Sequence, residues 1–98
     1  MASYTASSAK TVTTVANQID TLTLTGTGKT LRVTGHSGTP HIFFTTAPLG
    51  KVPPTVSAGG DNCMVAEPDV GQDFPWNGSG AVISYISTGI NVLTFMLF

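Results

Sequence analysis

The sequence predicts an all-β fold: one small domain, a β-sandwich or barrel of about seven short, mainly antiparallel strands. Three observations carry that expectation. Apolar and polar residues alternate with period two over most of the chain, as in Leu22/Leu24 against Thr21/Thr23/Thr25. The polar positions are hydroxyls, with 16 threonines and 8 serines but only four Lys/Arg and five Asp/Glu in 98 residues, and threonine is a strand residue. No window of a dozen residues places apolar groups at i, i+3, i+4 and i+7 among good helix formers.

Taken in order, residues 1–10 (MASYTASSAK) are polar, small and poor in apolar groups. They predict an N-terminal arm, flexible when free and able to order along a neighbouring subunit, ahead of a β-domain over residues 11–98. Alternation begins at Val12–Val15 and continues through Ile19, Leu22 and Leu24. Gly26-Thr27-Gly28-Lys29 reads as a hairpin turn into a strand carrying Leu31 and Val33. His41–Thr46 is the next strand and Met64–Ala66 a short one. Ala81–Ser87 and Ile90–Leu97 form a closing pair joined at Thr88-Gly89. Ala47–Asn62, with three prolines and three glycines, reads as a long surface loop with at most an edge strand near Thr55–Ser57. Pro68–Gly80 reads as a second loop. Val92–Phe98 is apolar on both faces apart from Thr94, which predicts a central or covered strand.

Composition narrows the function. A net charge of −1 with 9% charged residues argues against a nucleic-acid binder, which needs a basic face to neutralise phosphates. The first ten residues lack the apolar stretch of a secretory signal, and the run Ile90–Phe98 is far below the roughly 20 residues of a membrane-spanning helix. The one cysteine, Cys63, rules out an intramolecular disulfide. No nucleic-acid or membrane partner is expected.

Each candidate motif for chemistry meets a plainer reading. Gly26–Thr30 ends like a phosphate loop, but Thr23 stands where the first glycine is required and a strand pattern follows in place of a helix. Gly59-Gly60-Asp61-Asn62 is turn chemistry without the spaced carboxylates of a calcium loop. His36, His41 and Cys63 lack zinc-ligand spacing, and Cys63 beside Met64 and Val65 reads as a structural thiol. Asn77-Gly78-Ser79 matches a glycosylation sequon and reads as a turn. No catalytic residue, metal ligand or cofactor is expected. The segment with most content is Asp73-Phe74-Pro75-Trp76-Asn77-Gly78, which puts two large rings among turn formers. Those rings either fold back as a lid or anchor a partner surface, since aromatic residues dominate interface hot spots. Tyr4, Phe74 and Trp76 are the candidate partner-binding residues.

The stretches Asn17–Thr25, Leu31–Gly35, His41–Thr46, Pro54–Val56, Gly59–Val65 and Val82–Ser87 occur in an order that resembles small virion proteins of tailed bacteriophages. Those are single β-domains that decorate the outside of the head or form modules on tail structures. The resemblance spans about residues 11 to 97 and is carried by strand and turn patterns. It implies a non-enzymatic capsid decoration protein, assembled in the host bacterial cytoplasm and resident in the virion. Its implied partners are the major capsid protein lattice and further copies of itself, as a homo-oligomer on the capsid. A tail or fibre module and a host-surface carbohydrate-binding domain are the alternatives. The segments Leu49–Pro53 and Phe95–Phe98 depart from the family pattern.

Overall fold

The leucine–threonine alternation that starts at Asp20 does not stop at the glycines that follow. In a computed structural model, which describes residues 2–38 and 40–98, it continues as one strand of 18 residues. The elements are β1 (Ser3–Ala6), β2 (Ala9–Thr13), β3 (Asp20–Ser37), β4 (Ile42–Ala47), β5 (Met64–Ala66), β6 (Gly71–Ser87) and β7 (Val92–Leu97). No helix occurs among the described residues. The strands join in the order β2-β7-β3-β6-β4-β5, with β1 beside β3. Every pair is antiparallel except β1 with β3. The expected all-β class and the seven mainly antiparallel strands are therefore present, but two of the strands are long.

Those two long strands organise the molecule. β6 pairs with β3 along both its halves, while β1 pairs with Thr21–Leu24 and β7 with Leu31–Ser37. The β3–β6 register slips between Leu24 and Thr27 and again between Gly28 and Thr30. Bulges of this kind bend a strand. The sheet consequently wraps on itself. Phe44 on β4 and Phe95 on β7 would lie about 14 Å apart across a flat sheet with two strands between them. Their ring centroids are 6.0 Å apart. Leu22, Leu24, Leu31, Val33, Ile42, Ile83, Tyr85 and Leu93, all fully or almost fully buried, close the core around them.

Three sequence expectations are corrected. Gly26-Thr27-Gly28-Lys29 is not a hairpin turn but the middle of β3. Its glycines serve close approach: a Cβ on Gly26 would stand 2.8 Å from the Ser7 carbonyl oxygen, and one on Gly28 2.6 Å from the Phe98 nitrogen. Gly71–Gly80 is strand and not loop, because Pro75 sits beside the second bulge, where a missing donor is tolerated. β7 does not pair with β6 across Thr88-Gly89. It crosses to lie between β2 and β3, the central position its apolar sequence requires. The stretch expected as a loop with at most an edge strand forms no strand at residues 55–57, and Val56 within it is buried.

The segment expected as a flexible arm is placed as strand. Ser3–Ala6 lie parallel to Thr21–Leu24, and Ala9–Thr13 lie against Val92–Met96. Tyr4 and Ala6 supply the apolar contacts, packing on the core from alternate positions. Asp20, itself buried, accepts the Ala2 N–H at 2.8 Å and so fixes the start of β1.

Candidate functional site

Phe74 and Trp76 share one face of β6, since alternate residues of a strand point the same way. Phe74 meets Phe44 edge to face, centroids 5.1 Å apart and planes at 80°, a favoured aromatic geometry. Trp76 packs partly against the core, and its indole Nε1–H donates to the Gly80 carbonyl at 3.0 Å. The two rings are therefore held by the domain, with part of each left at the surface.

What surrounds Trp76 gives the region its character. Trp76, Pro75 and Asn77 form one wall of a shallow hollow of about 420 Å³, and Thr46, Ala47 and Pro48 at the end of β4 form the other. The loop after β4 turns at Pro48–Lys51, where the Lys51 N–H donates to the Pro48 carbonyl at 3.0 Å and Gly50 supplies a φ of 86°. Leu49 in that turn reaches the backbone at Gly80, and Val52 just beyond it is 90% exposed. On the other side of Asn77 lies a second hollow of about 490 Å³, lined by Gly28, Lys29, Gly78, Ser79 and Phe98 among others. Phe98 is held there by its backbone, which accepts from the N–H groups of Lys29 and Thr30 and donates to the Thr30 carbonyl. The Arg32 guanidinium lies 4.9 Å from the centre of its ring. Arg32 also makes a two-pronged bond to Asp73, at 2.7 and 3.1 Å. That hydrogen bond draws the Asp73 carboxyl below its ordinary value and raises Arg32 above its own. Solvent screens the exposed pair.

Tyr4 does not join this group. It sits on β1 opposite Leu22, with the Lys10 ammonium 5.8 Å from its ring centre. Sequence reading missed Pro48 as a neighbour of Trp76, Leu49 as a neighbour of Gly80 and Phe98 as a neighbour of Asn77. Leu49 and Phe98 stood in apolar stretches of the sequence, but only the fold brings them to this segment.

The possible chemical groups are dispersed. His36 Nε2 bonds the Thr94 hydroxyl at 2.7 Å, whereas His41 Nε2, just before β4, pairs with Glu67, just after β5, at 2.8 Å. The Cys63 thiol donates to the Asp61 carbonyl. Among the described residues no three His, Cys, Asp or Glu side chains converge as a metal cluster would. Among the described residues no helix is long and apolar enough to cross a membrane.

Neither a protein-family model nor a curated protein matches the chain.

Proposed function

We propose that this protein is a non-enzymatic structural component of a tailed-bacteriophage virion that binds the outer face of the capsid in many copies. The observation that carries the reading is the group of exposed apolar side chains near Trp76. Pro48 and Trp76 line one hollow and Phe98 the adjoining one, while Leu49 lies beside Gly80. Leu49 is 44% and Phe98 49% exposed, on a weakly charged, hydroxyl-rich domain that also exposes Val15, Val70 and Ile90 singly. Exposed apolar groups in one place mark interaction sites, whereas scattered ones do not. The order of strand and turn segments resembles that of phage decoration domains and supplies the partner. Each contact on a lattice can be weak, because many copies bind together.

Purified protein mixed with expanded shells that lack it tests the reading by co-sedimentation. Leu49→Ser and Val52→Ser remove apolar area from exposed positions. Together they are expected to weaken binding about tenfold or more, a loss of about 1.4 kcal/mol, with an unchanged melting temperature. Binding like the parent would move the contact elsewhere, and absence of binding by the parent would end the capsid reading. Tens rather than hundreds of copies per virion would favour a tail or fibre module. A host-surface glycan is the second reading, because Thr46 and Asn77 place a hydroxyl and an amide beside the Trp76 ring in the same hollow. Glycan-array binding lost on Trp76→Phe or Asn77→Ala would favour it.

A further inference from the structure

The chain has four asparagines, at 17, 62, 77 and 91, and only Asn77 precedes a glycine. That step lies on the ridge between the two hollows and lines both. The β3–β6 ladder is interrupted there: Gly28 faces Gly78 and Thr30 faces Pro75, so Trp76 and Asn77 together oppose Lys29 alone. Residues in such a bulge are freed from regular pairing. Gly78 has a φ of 152°, and a Cβ added to it would meet nothing within 4 Å. Asn77 and Gly78 are both exposed. The residue after Asn77 thus carries no side chain, and the space where one would stand is open.

We propose that Asn77 is a site of spontaneous modification, converted in the folded protein through a cyclic imide to aspartate or isoaspartate. The Gly78 backbone nitrogen attacks the Asn77 side-chain carbonyl carbon and forms a five-membered ring. The bond from that carbon to the amide nitrogen breaks, and ammonia leaves with the proton from the Gly78 N–H. Water then adds to one of the two ring carbonyls and opens the imide. Addition at the backbone carbonyl gives isoaspartate with a lengthened main chain, and addition at the other gives aspartate. Either product adds one carboxylate, taking the formal net charge from −1 to −2. The new charge sits on the rim of the Trp76 hollow, with Lys29 lining the neighbouring one. A carboxylate that must be dehydrated to enter an apolar contact opposes docking.

The other asparagines provide internal controls. Asn17 and Asn62 are exposed, with φ near +59°, but precede Gln18 and Cys63, whose Cβ atoms hinder approach to the nitrogen. Asn91 is fully buried, and both ends of its amide are hydrogen-bonded. The test ages the folded protein at mildly alkaline pH beside the same chain in denaturant. Peptide mapping follows the mass change of amide to acid, and enzymatic methylation counts isoaspartate. Asn77 is expected to convert roughly tenfold or more ahead of Asn17 and Asn62, because only glycine leaves the nitrogen unhindered. Asn91 stays intact, and Asn77→Gln abolishes the leading product. An Asn77 that converts in denaturant but stays intact in the folded chain would overturn the proposal, as would another asparagine leading. The consequence for docking rests on the proposed capsid reading and has its own assay. Asn77→Asp should bind shells more weakly at unchanged melting temperature. Conversion of Asn77 with undiminished shell binding by Asn77→Asp leaves the site standing and removes its effect on docking.

Discussion

The two ends of β4 close in opposite ways. At Ile42, which faces Ser87, the neighbouring connections are tied by a buried polar network. Ser87 Oγ donates to Asn91 Oδ1 at 2.6 Å, and Asn91 Nδ2 donates to the Pro40 carbonyl at 2.9 Å. The Thr14 hydroxyl accepts the Asn91 backbone N–H and donates to the Gly89 carbonyl, each at 2.8 Å. At Ala47 the domain ends in the Trp76 hollow, and nearby Gly28 lets the backbone of Phe98 press against β3. One end gives its polar groups partners inside the domain. The other has Leu49, Val52 and Phe98 exposed, although the polar end also exposes Val15 and Ile90 beside its network. The contrast is therefore in how polar groups are tied, and it picks out residues that hold the fold.

The largest expected effect breaks the closed end. Asn91→Ala removes the partner of the Ser87 hydroxyl and of the Pro40 carbonyl, both at the buried network. Leaving buried polar groups unpaired costs about 2–4 kcal/mol. For a domain of this size that lowers Tm by roughly 10 °C or more. Shell binding measured below the new Tm should match the parent. A fall of under about 1 kcal/mol would mean that the network contributes shape and not stability.

Next comes a break at the open end. A Cβ on Gly28 would stand 2.6–2.7 Å from the nitrogen, carbonyl carbon and oxygen of Phe98, all backbone atoms. Gly28→Ala must therefore displace the end of the chain, at about 1–3 kcal/mol, and disturb the second hollow. Gly59 is the control, because its added Cβ would meet only the Ser57 hydroxyl at an ordinary 3.6 Å. Gly59→Ala should change stability by less than about 0.5 kcal/mol in chemical denaturation. Equal losses in the two variants would refute close approach as the reason for Gly28.

This glycine also marks where sequence reasoning stopped. Alternation located the core correctly wherever apolar groups recur at period two, as at Leu22/Leu24, Leu31/Val33, Ile42/Phe44 and Ile83/Tyr85. Glycine is ambiguous in that reading, because a missing side chain serves a tight turn and a close backbone approach equally. The second role depends on Ser7 and Phe98, about 20 and 70 residues away, so local pattern could not reveal it. Residues 3–6 read as an arm because two apolar side chains, Tyr4 and Ala6, are too few to announce a strand. Trp76 was legible as a singular residue. The surroundings of its segment, Pro48 at Trp76, Leu49 at Gly80 and Phe98 at Asn77, were not, because the β4–β6 and β3–β7 pairings bring them there.

The smallest effect sharpens the comparison from inside the closed end. Tyr85 is fully buried two residues before Ser87, yet among the described residues its hydroxyl has no hydrogen-bond partner. Burial raises its pKa first, and the nearby Asp20 and Tyr4 raise it further. The folded state therefore keeps the Tyr85 proton at pH values where the unfolded chain releases it. Below the ordinary tyrosine value of about 10 both states are protonated and the group contributes no pH dependence. Above it the unfolded chain binds fewer protons than the folded one, so stability falls as pH rises. Tyr85→Phe removes this dependence along with an unpaired buried hydroxyl, whose loss is nearly neutral or stabilising. Chemical denaturation near neutral pH should place the variant within about 0.5 kcal/mol of the parent or above it. Above about pH 10 the variant should lose stability less steeply, since all other titrating groups are common to both proteins. Parallel alkaline curves, or a neutral-pH loss beyond about 1 kcal/mol, would show that the hydroxyl has a hydrogen-bonding partner and that the closed end has no orphan.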